Sequence, residues 1–231
     1  MKIGGLQPVT ILDYPQKVAA ILFTSGCNMR CPFCHNPDLV IPENIEKSHL
    51  LDEEELLAHL QKRKKYLDGL VITGGEPTTQ PDIIDFCRKI KEMGYNIKLD
   101  TNGLMPEILE KLLQEKLLDY IAMDIKGPVD KYEKFCGIGG NSDKIYESIE
   151  IVKDSGLKYE FRSTLVKGLH SKDDVLEMAK AISGAKLYYL QNFNFQDRLV
   201  DGNFSGQSNT LKEMENLVKI AQEFVKESKI R

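Results

Sequence analysis

Cys27, Cys31 and Cys34 stand within eight residues of one another, in the stretch Ser25-Gly26-Cys27-Asn28-Met29-Arg30-Cys31-Pro32-Phe33-Cys34-His35-Asn36. Thiolates at C-x3-C-x2-C spacing can wrap three irons of a 4Fe–4S cube. The missing fourth ligand is the informative feature, because it leaves one iron open to an exogenous chelator. A fully ligated cluster would only pass electrons. A zinc ion held by the three cysteines and His35 draws on the same residues. His35 follows Cys34 directly, however, and adjacent side chains rarely converge on one tetrahedral ion. Cys87 falls inside a helical pattern on an apolar face and reads as a small buried hydrophobe. Cys136 sits in a glycine-rich stretch and reads as a solvent-side thiol. Neither is assigned to a metal.

Further polar groups close successive apolar runs: Gly74-Gly75-Glu76-Pro77, Asp100-Thr101-Asn102-Gly103 and Asp124-Ile125-Lys126. Arg162 with Thr164, and Gln191 with Asn192, lie on two later runs. Taken singly, each has a plain explanation as a turn or a surface pair. Their shared position at strand ends does not. In parallel α/β barrels those ends form one face, where active sites collect.

The elements that must position these groups are legible as alternating runs. Apolar stretches at 18–24, 69–73, 97–101, 120–125, 158–166 and 185–193 read as strands covered on both faces. Helical patterns lie between them at about 50–65, 81–93, 106–117, 142–155 and 172–183, with Gly94, Gly156 and Gly184 placed as C-caps. A last helix opens at a capping box, Thr210 with Glu213, and is expected to run to about Lys226. Six βα units are too few for a closed eight-fold barrel, so the expected fold is an open, partial (β/α)6 barrel of parallel strands. One domain is expected over 1–231, with 1–17 as an N-terminal arm or edge hairpin and 208–231 carrying the C-terminal helix.

Composition excludes some functions. A formal charge of −4 offers no general attraction to nucleic acid or to an anionic membrane. The dense basic run Lys62-Arg63-Lys64-Lys65 reads as a solvated helix C-terminus. The apolar run from Val18 to Phe23 is far too short to span a bilayer, and residues 1–5 do not resemble a signal peptide. Five cysteines, three of them clustered, suit a metal site in a reducing compartment better than a disulfide framework. A cytoplasmic protein is expected.

The cysteine motif, with an aromatic residue before its last cysteine, resembles the signature of the radical S-adenosylmethionine (SAM) superfamily. Gly4-Gly5-Leu6-Gln7, Leu12-Asp13-Tyr14-Pro15 and Cys34-His35-Asn36-Pro37 are similar to a narrower group, the activating proteins of anaerobic ribonucleoside-triphosphate reductase among the glycyl-radical-enzyme activases. The resemblance implies that Cys27, Cys31 and Cys34 bind one 4Fe–4S cluster and that S-adenosylmethionine chelates its open iron. It places Phe33 near the adenine and Asn36 beside the cofactor, and it gives Gly74, Gly75 and Glu76 the methionine amino group. Asp100, Thr101 and Asp124 resemble the monovalent-cation site of some activases. Asn102, Lys126 and Arg162 would orient the cofactor or the incoming substrate loop. On the last strand, where activases often show a histidine, Gln191-Asn192-Phe193 leaves Asn192 as the ribose candidate. The implied activity is reductive cleavage to a 5′-deoxyadenosyl radical, which takes a hydrogen atom from a glycine of the reductase. A flavodoxin or ferredoxin would supply the electron. No cysteine lies in 35–73, so no second cluster of the ferredoxin-like kind is expected.

Two rival readings use the same residues. One is a radical SAM reaction on a small molecule, of the modified-base-synthesis type, or on another glycyl radical enzyme. The other is an electron-transfer or metal-binding module, which leaves Gly74-Gly75-Glu76 and Asp124-Ile125-Lys126 unexplained. The polar segment 194–209 is expected either to connect strand to helix or to help admit a partner's glycine loop, with Phe195 and Phe204 as anchors.

Overall fold

The computed structural model describes residues 1–138, 140–195 and 198–231. Its eight strands follow one another in chain order, β1 to β8, in a single sheet. The chain forms two compact units: residues 1–28, 36–101 and 107–121 make the first, and residues 29–35, 102–106 and 122–231 make the second.

In the first unit β1 (Ile3–Thr10) pairs antiparallel with β2 (Ala19–Thr24). From there the ladder is parallel, β2 to β3 (Gly69–Gly74) and β3 to β4 (Asn96–Thr101). Ala20, Leu22, Leu70, Ile72, Ile97 and Leu99 are buried, and so are Ala19, Ile21 and Val71 on the alternate positions. That two-sided burial is why these strands read as continuous apolar runs. The helices are α1 (Pro37–Val40), α2 (Pro42–Ile45), α3 (Glu53–Arg63), α4 (Ile83–Glu92) and α5 (Pro106–Gln114). Asp52 caps α3 by accepting from the Glu54 and Glu55 amides. The basic run after α3 stays structural: Lys64 donates to the Gly94 carbonyl at 2.7 Å and lies over the Tyr95 ring. Strand β5 (Tyr120–Asp124) has its first two residues in this unit and its last three in the second.

The second unit continues with α6 (Tyr132–Cys136), α7 (Ser142–Asp154), β6 (Lys158–Leu165), α8 (Lys172–Ala181), β7 (Tyr188–Asn192), α9 (Leu211–Gln222) and β8 (Ser228–Ile230). β6, β7 and β8 are mutually parallel in that order. Capping boxes start α8 at Ser171 with Asp174, and α9 at Thr210 with Glu213.

Two expectations are corrected here. The last helix stops at Gln222 rather than near Lys226. The chain then extends because the Lys226 amide donates to the Ala185 carbonyl and the Glu227 carbonyl accepts from Tyr188, which starts the pairing with β7. Cys136 is not a solvent-side thiol: it ends α6 with 0 % exposure, and burial pushes its thiol up to about 11. Cys87 is buried as expected, its thiol pushed up to about 12. Among the described residues no helix is long and apolar enough to cross a membrane.

Candidate functional site

In the first unit the candidate residues gather where β2, β3 and β4 end. Gly26 and Gly75 approach each other closely: the Glu76 amide donates to the Gly26 carbonyl at 2.8 Å, and the Gly75 amide to the Thr24 carbonyl at 2.8 Å. A Cβ on Gly75 would lie 2.1 Å from the Gly26 oxygen, and one on Gly74, at φ +121°, would lie 2.3 Å from the Thr24 nitrogen. The Gly-Gly pair is therefore what brings the 74–76 turn against the backbone just before Cys27. Glu76 is 1 % exposed, and its Oε1 accepts from the Thr78 amide at 3.1 Å, the Thr78 hydroxyl at 2.6 Å and the Thr101 hydroxyl at 2.7 Å. These bonds fix one carboxylate rotamer with neutral donors. Asp100 follows a different rule. Its carboxylate takes the ammonium of Lys98, a fully buried residue two positions earlier in β4. Asn36 is exposed and begins α1 without a side-chain capping bond.

In the second unit the cysteine segment is held on two sides. The Arg30 amide donates to the Cys136 carbonyl at 2.8 Å, and the Val200 and Asp201 amides donate to the carbonyls of Cys34 and Pro32 at 3.0 and 3.2 Å. Phe33 is buried, meeting the His170 ring edge-on at 5.8 Å between centroids and Phe204 at 6.2 Å. His35 stacks on Phe193 at 5.3 Å, and its Nε2 lies 2.8 Å from the Asn194 carbonyl. Phe204 is thus turned inward, and of the two expected anchors it is Phe195, at 54 % exposure, that reaches solvent. Gln196 and Asp197 of that segment lie outside the described residues.

Asp124 receives Arg162 Nε at 2.9 Å and Lys126 Nζ at 3.0 Å. Burial alone would push its carboxyl up, but the Arg162 and Lys126 charges overcome this and hold it well below the usual carboxylate range. Burial would lower Lys126, and the charges of Asp124 and then Cys31 outweigh it, so the ammonium is held above its ordinary value. Lys126 is set by its backbone: its amide donates to the Tyr132 hydroxyl at 3.0 Å, which donates to the Asp124 carbonyl at 3.2 Å. His170 Nδ1 accepts from the Val166 amide, so its Nε2 carries the proton and donates to the Lys126 carbonyl at 2.9 Å. Burial lowers His170, which keeps that neutral tautomer.

Asn102 is buried and accepts from the Leu104 amide at 3.0 Å, an Asx turn. Asn192 donates to the Asn209 carbonyl at 2.7 Å and accepts from the Asn209 amide at 2.8 Å, closing the segment after β7. Sequence reasoning missed Lys98, His170 and Thr78. A charge inside an apolar strand was a usable signal for Lys98, whereas nothing in the local sequence marks His170.

A family model described as the radical SAM superfamily matches residues 21–182. A Methanocaldococcus jannaschii protein named as a glycyl-radical enzyme activating enzyme is 34% identical over 99% of this chain and 95% of its own length. A pyruvate formate-lyase-activating enzyme of Clostridium pasteurianum is 30% identical over 80% of this chain and 77% of its own. Among solved structures, Streptococcus suis SuiB bound to S-adenosylmethionine superposes with a TM-score of 0.67 at 16% identity, covering 91% of this chain and 51% of that one. The enzyme anSMEcpe with bound AdoMet gives 0.62 at 17% identity, over 87% and 57%. The chain spans about half the length of these two structures, and the likeness to them is one of fold, the expected partial barrel.

Proposed function

Because this chain belongs to the radical SAM superfamily, and stands with its glycyl-radical enzyme activating enzymes, we propose that it installs a glycyl radical on an anaerobic ribonucleoside-triphosphate reductase. The superfamily uses a 4Fe–4S cluster and S-adenosylmethionine, and together these supply, when bound, one-electron reductive chemistry that ends in hydrogen-atom abstraction. The near end-to-end likeness to an activating enzyme carries the reading. The Gly4-to-Pro15 stretch points to the reductase as the target, although Tyr14 within it is a core residue and serves packing as well.

By donor type the residues suit the group. Cys27, Cys31 and Cys34 are the proposed cluster ligands, supported by their C-x3-C-x2-C spacing. Gly74, Gly75 and Glu76 are proposed to receive the cofactor's amino group, to which backbone carbonyls and a carboxylate are natural acceptors. Thr78 and Thr101 hold Glu76 in one orientation for that task. Phe33, Asn36, Asn102, Lys126, Arg162 and Asn192 complete the proposed cofactor-facing set. A flavodoxin or ferredoxin is the proposed electron donor, and the cytoplasm the proposed compartment, since a cluster with an open iron and thiolate ligands suits reducing surroundings.

A second target has its own support, because a pyruvate formate-lyase-activating enzyme also aligns over most of the chain. The test is anaerobic incubation of reconstituted protein, S-adenosylmethionine and reductant with each candidate enzyme, read by electron paramagnetic resonance. A glycyl radical on the reductase is expected. A radical on pyruvate formate-lyase alone would overturn the target, and turnover of a small molecule with neither radical would overturn the class.

A further inference from the structure

Lys98 is a lysine with 0 % exposure in the middle of β4. Its register neighbours are Val71 on β3 and, through Val71, Ile21 on β2. Ile21 and Val71 belong to one apolar cluster with Tyr14, Ala19 and Tyr120, and the Lys98 ammonium lies 5.8 Å from the Tyr120 ring centroid. A valine or isoleucine would satisfy this row at no electrostatic cost. An ammonium is tolerated in such surroundings only when a counter-charge meets it. That counter-charge is Asp100, two residues on and on the same side of the strand.

The resemblance assigns Asp100, with Thr101 and Asp124, to a monovalent cation. In this chain a tethered ammonium already stands on the Asp100 carboxylate, and a sodium or potassium ion added there would repel it at short range. Asp124 is likewise met from within its own unit, by Arg162 and Lys126. We infer that Lys98 is a positioning residue whose ammonium gives Asp100 the positive charge expected of a monovalent cation, so that this enzyme holds no exchangeable cation at Asp100. The inference rests on the proposed reading only in taking Asp100 as a residue of the monovalent-cation site that the family resemblance implies.

The test measures thermal unfolding of the anaerobically reconstituted protein at constant ionic strength, with tetramethylammonium chloride exchanged for potassium or sodium chloride. The wild type should shift by less than about 1 °C. Lys98→Met should gain a saturable rise of about 5 °C, because the carboxylate that has lost this ammonium then binds the small ion in the folded state only. A saturable rise in the wild type, or a folded Lys98→Met that ignores both ions, would overturn the inference. Should Lys98→Met fail to fold, thallium-205 resonance on the wild type decides: no bound signal displaced by potassium supports the assignment, and a stoichiometric one overturns it. None of these readouts depends on which protein receives the radical, so failure here is separate from failure of the reductase assignment.

Discussion

Asp100 in the first unit and Asp124 in the second both sit at strand ends, and both are met by protein cations, yet they are held differently. The cation that meets Asp100 comes from its own strand and is wholly buried. Asp124 draws on two cations, Lys126 just beyond β5 and Arg162 on β6, and its side chain remains 25 % exposed. Around it, Tyr132 and His170 tie the Lys126 backbone in place. The contrast teaches that similar sequence motifs, Lys-x-Asp and Asp-x-Lys, place one cation wholly buried on the same strand and another beside a second cation from a neighbouring strand. Because Lys98 is wholly buried, disrupting its ion pair should cost more than removing one cation from Asp124.

The largest effect is expected at Lys98. Lys98→Met in tetramethylammonium salt should cost about 3–5 kcal/mol of unfolding free energy, the usual penalty for stranding one member of a buried pair. Adding Asp100→Asn should recover much of that loss in denaturant titrations. Additive losses across this double-mutant cycle would break the claim that the two residues act as a pair.

A smaller effect is expected at Asp124. Arg162→Met or Lys126→Met should each cost about 1–2 kcal/mol, since one cation remains and part of the charge is screened by solvent. Removing both should cost more than the sum of the two. Simple additivity would show that Asp124 is not shared and would erase the distinction from Asp100.

The smallest effect concerns pH. Asp124 is held below the ordinary carboxylate range, so the unfolded chain takes up its proton first as pH falls. Its contribution is fully present above roughly pH 4 and is lost as pH falls through the depressed folded value. Asp124→Asn should therefore be less stable than wild type at pH 7, and the gap should narrow by about 1 kcal/mol toward pH 3. An unchanged gap across that range would mean the carboxylate gains nothing from its neighbours.

The strands that sequence reading found are those whose side chains are buried on both faces, such as Leu70, Val71 and Ile72 of β3. Helix ends were legible where glycine follows them: Gly94, Gly156 and Gly184 all adopt left-handed φ. β8 escaped notice because Ser-Lys-Ile is short and exposed at two of its three positions, so its only signal is the pairing with β7. The ends α1 and α2 are four-residue helices that start at Pro37 and Pro42, too short for any periodicity to show. Cys136 was misplaced because a glycine-rich neighbourhood suggests a surface loop, whereas the residue packs at the end of α6 and lends its carbonyl to Arg30.

From the sequence alone follow the C-x3-C-x2-C spacing, the polar strand ends and the alternation of strands with helices, because each is carried by residues close together in the chain. Tertiary structure alone decided which donor each acidic group meets: Thr101 for Glu76 across two strands, Arg162 for Asp124, and a buried Lys98 for Asp100. It also decided that residues 200, 201 and 204 brace the cysteine segment instead of standing free. Lys98 and Asp100 stand two positions apart, and only the tertiary fold buries them, while the other partners are separated by tens to well over a hundred positions. A hydrogen bond depends on distance in space, and local propensity carries no record of which distant atom will be there.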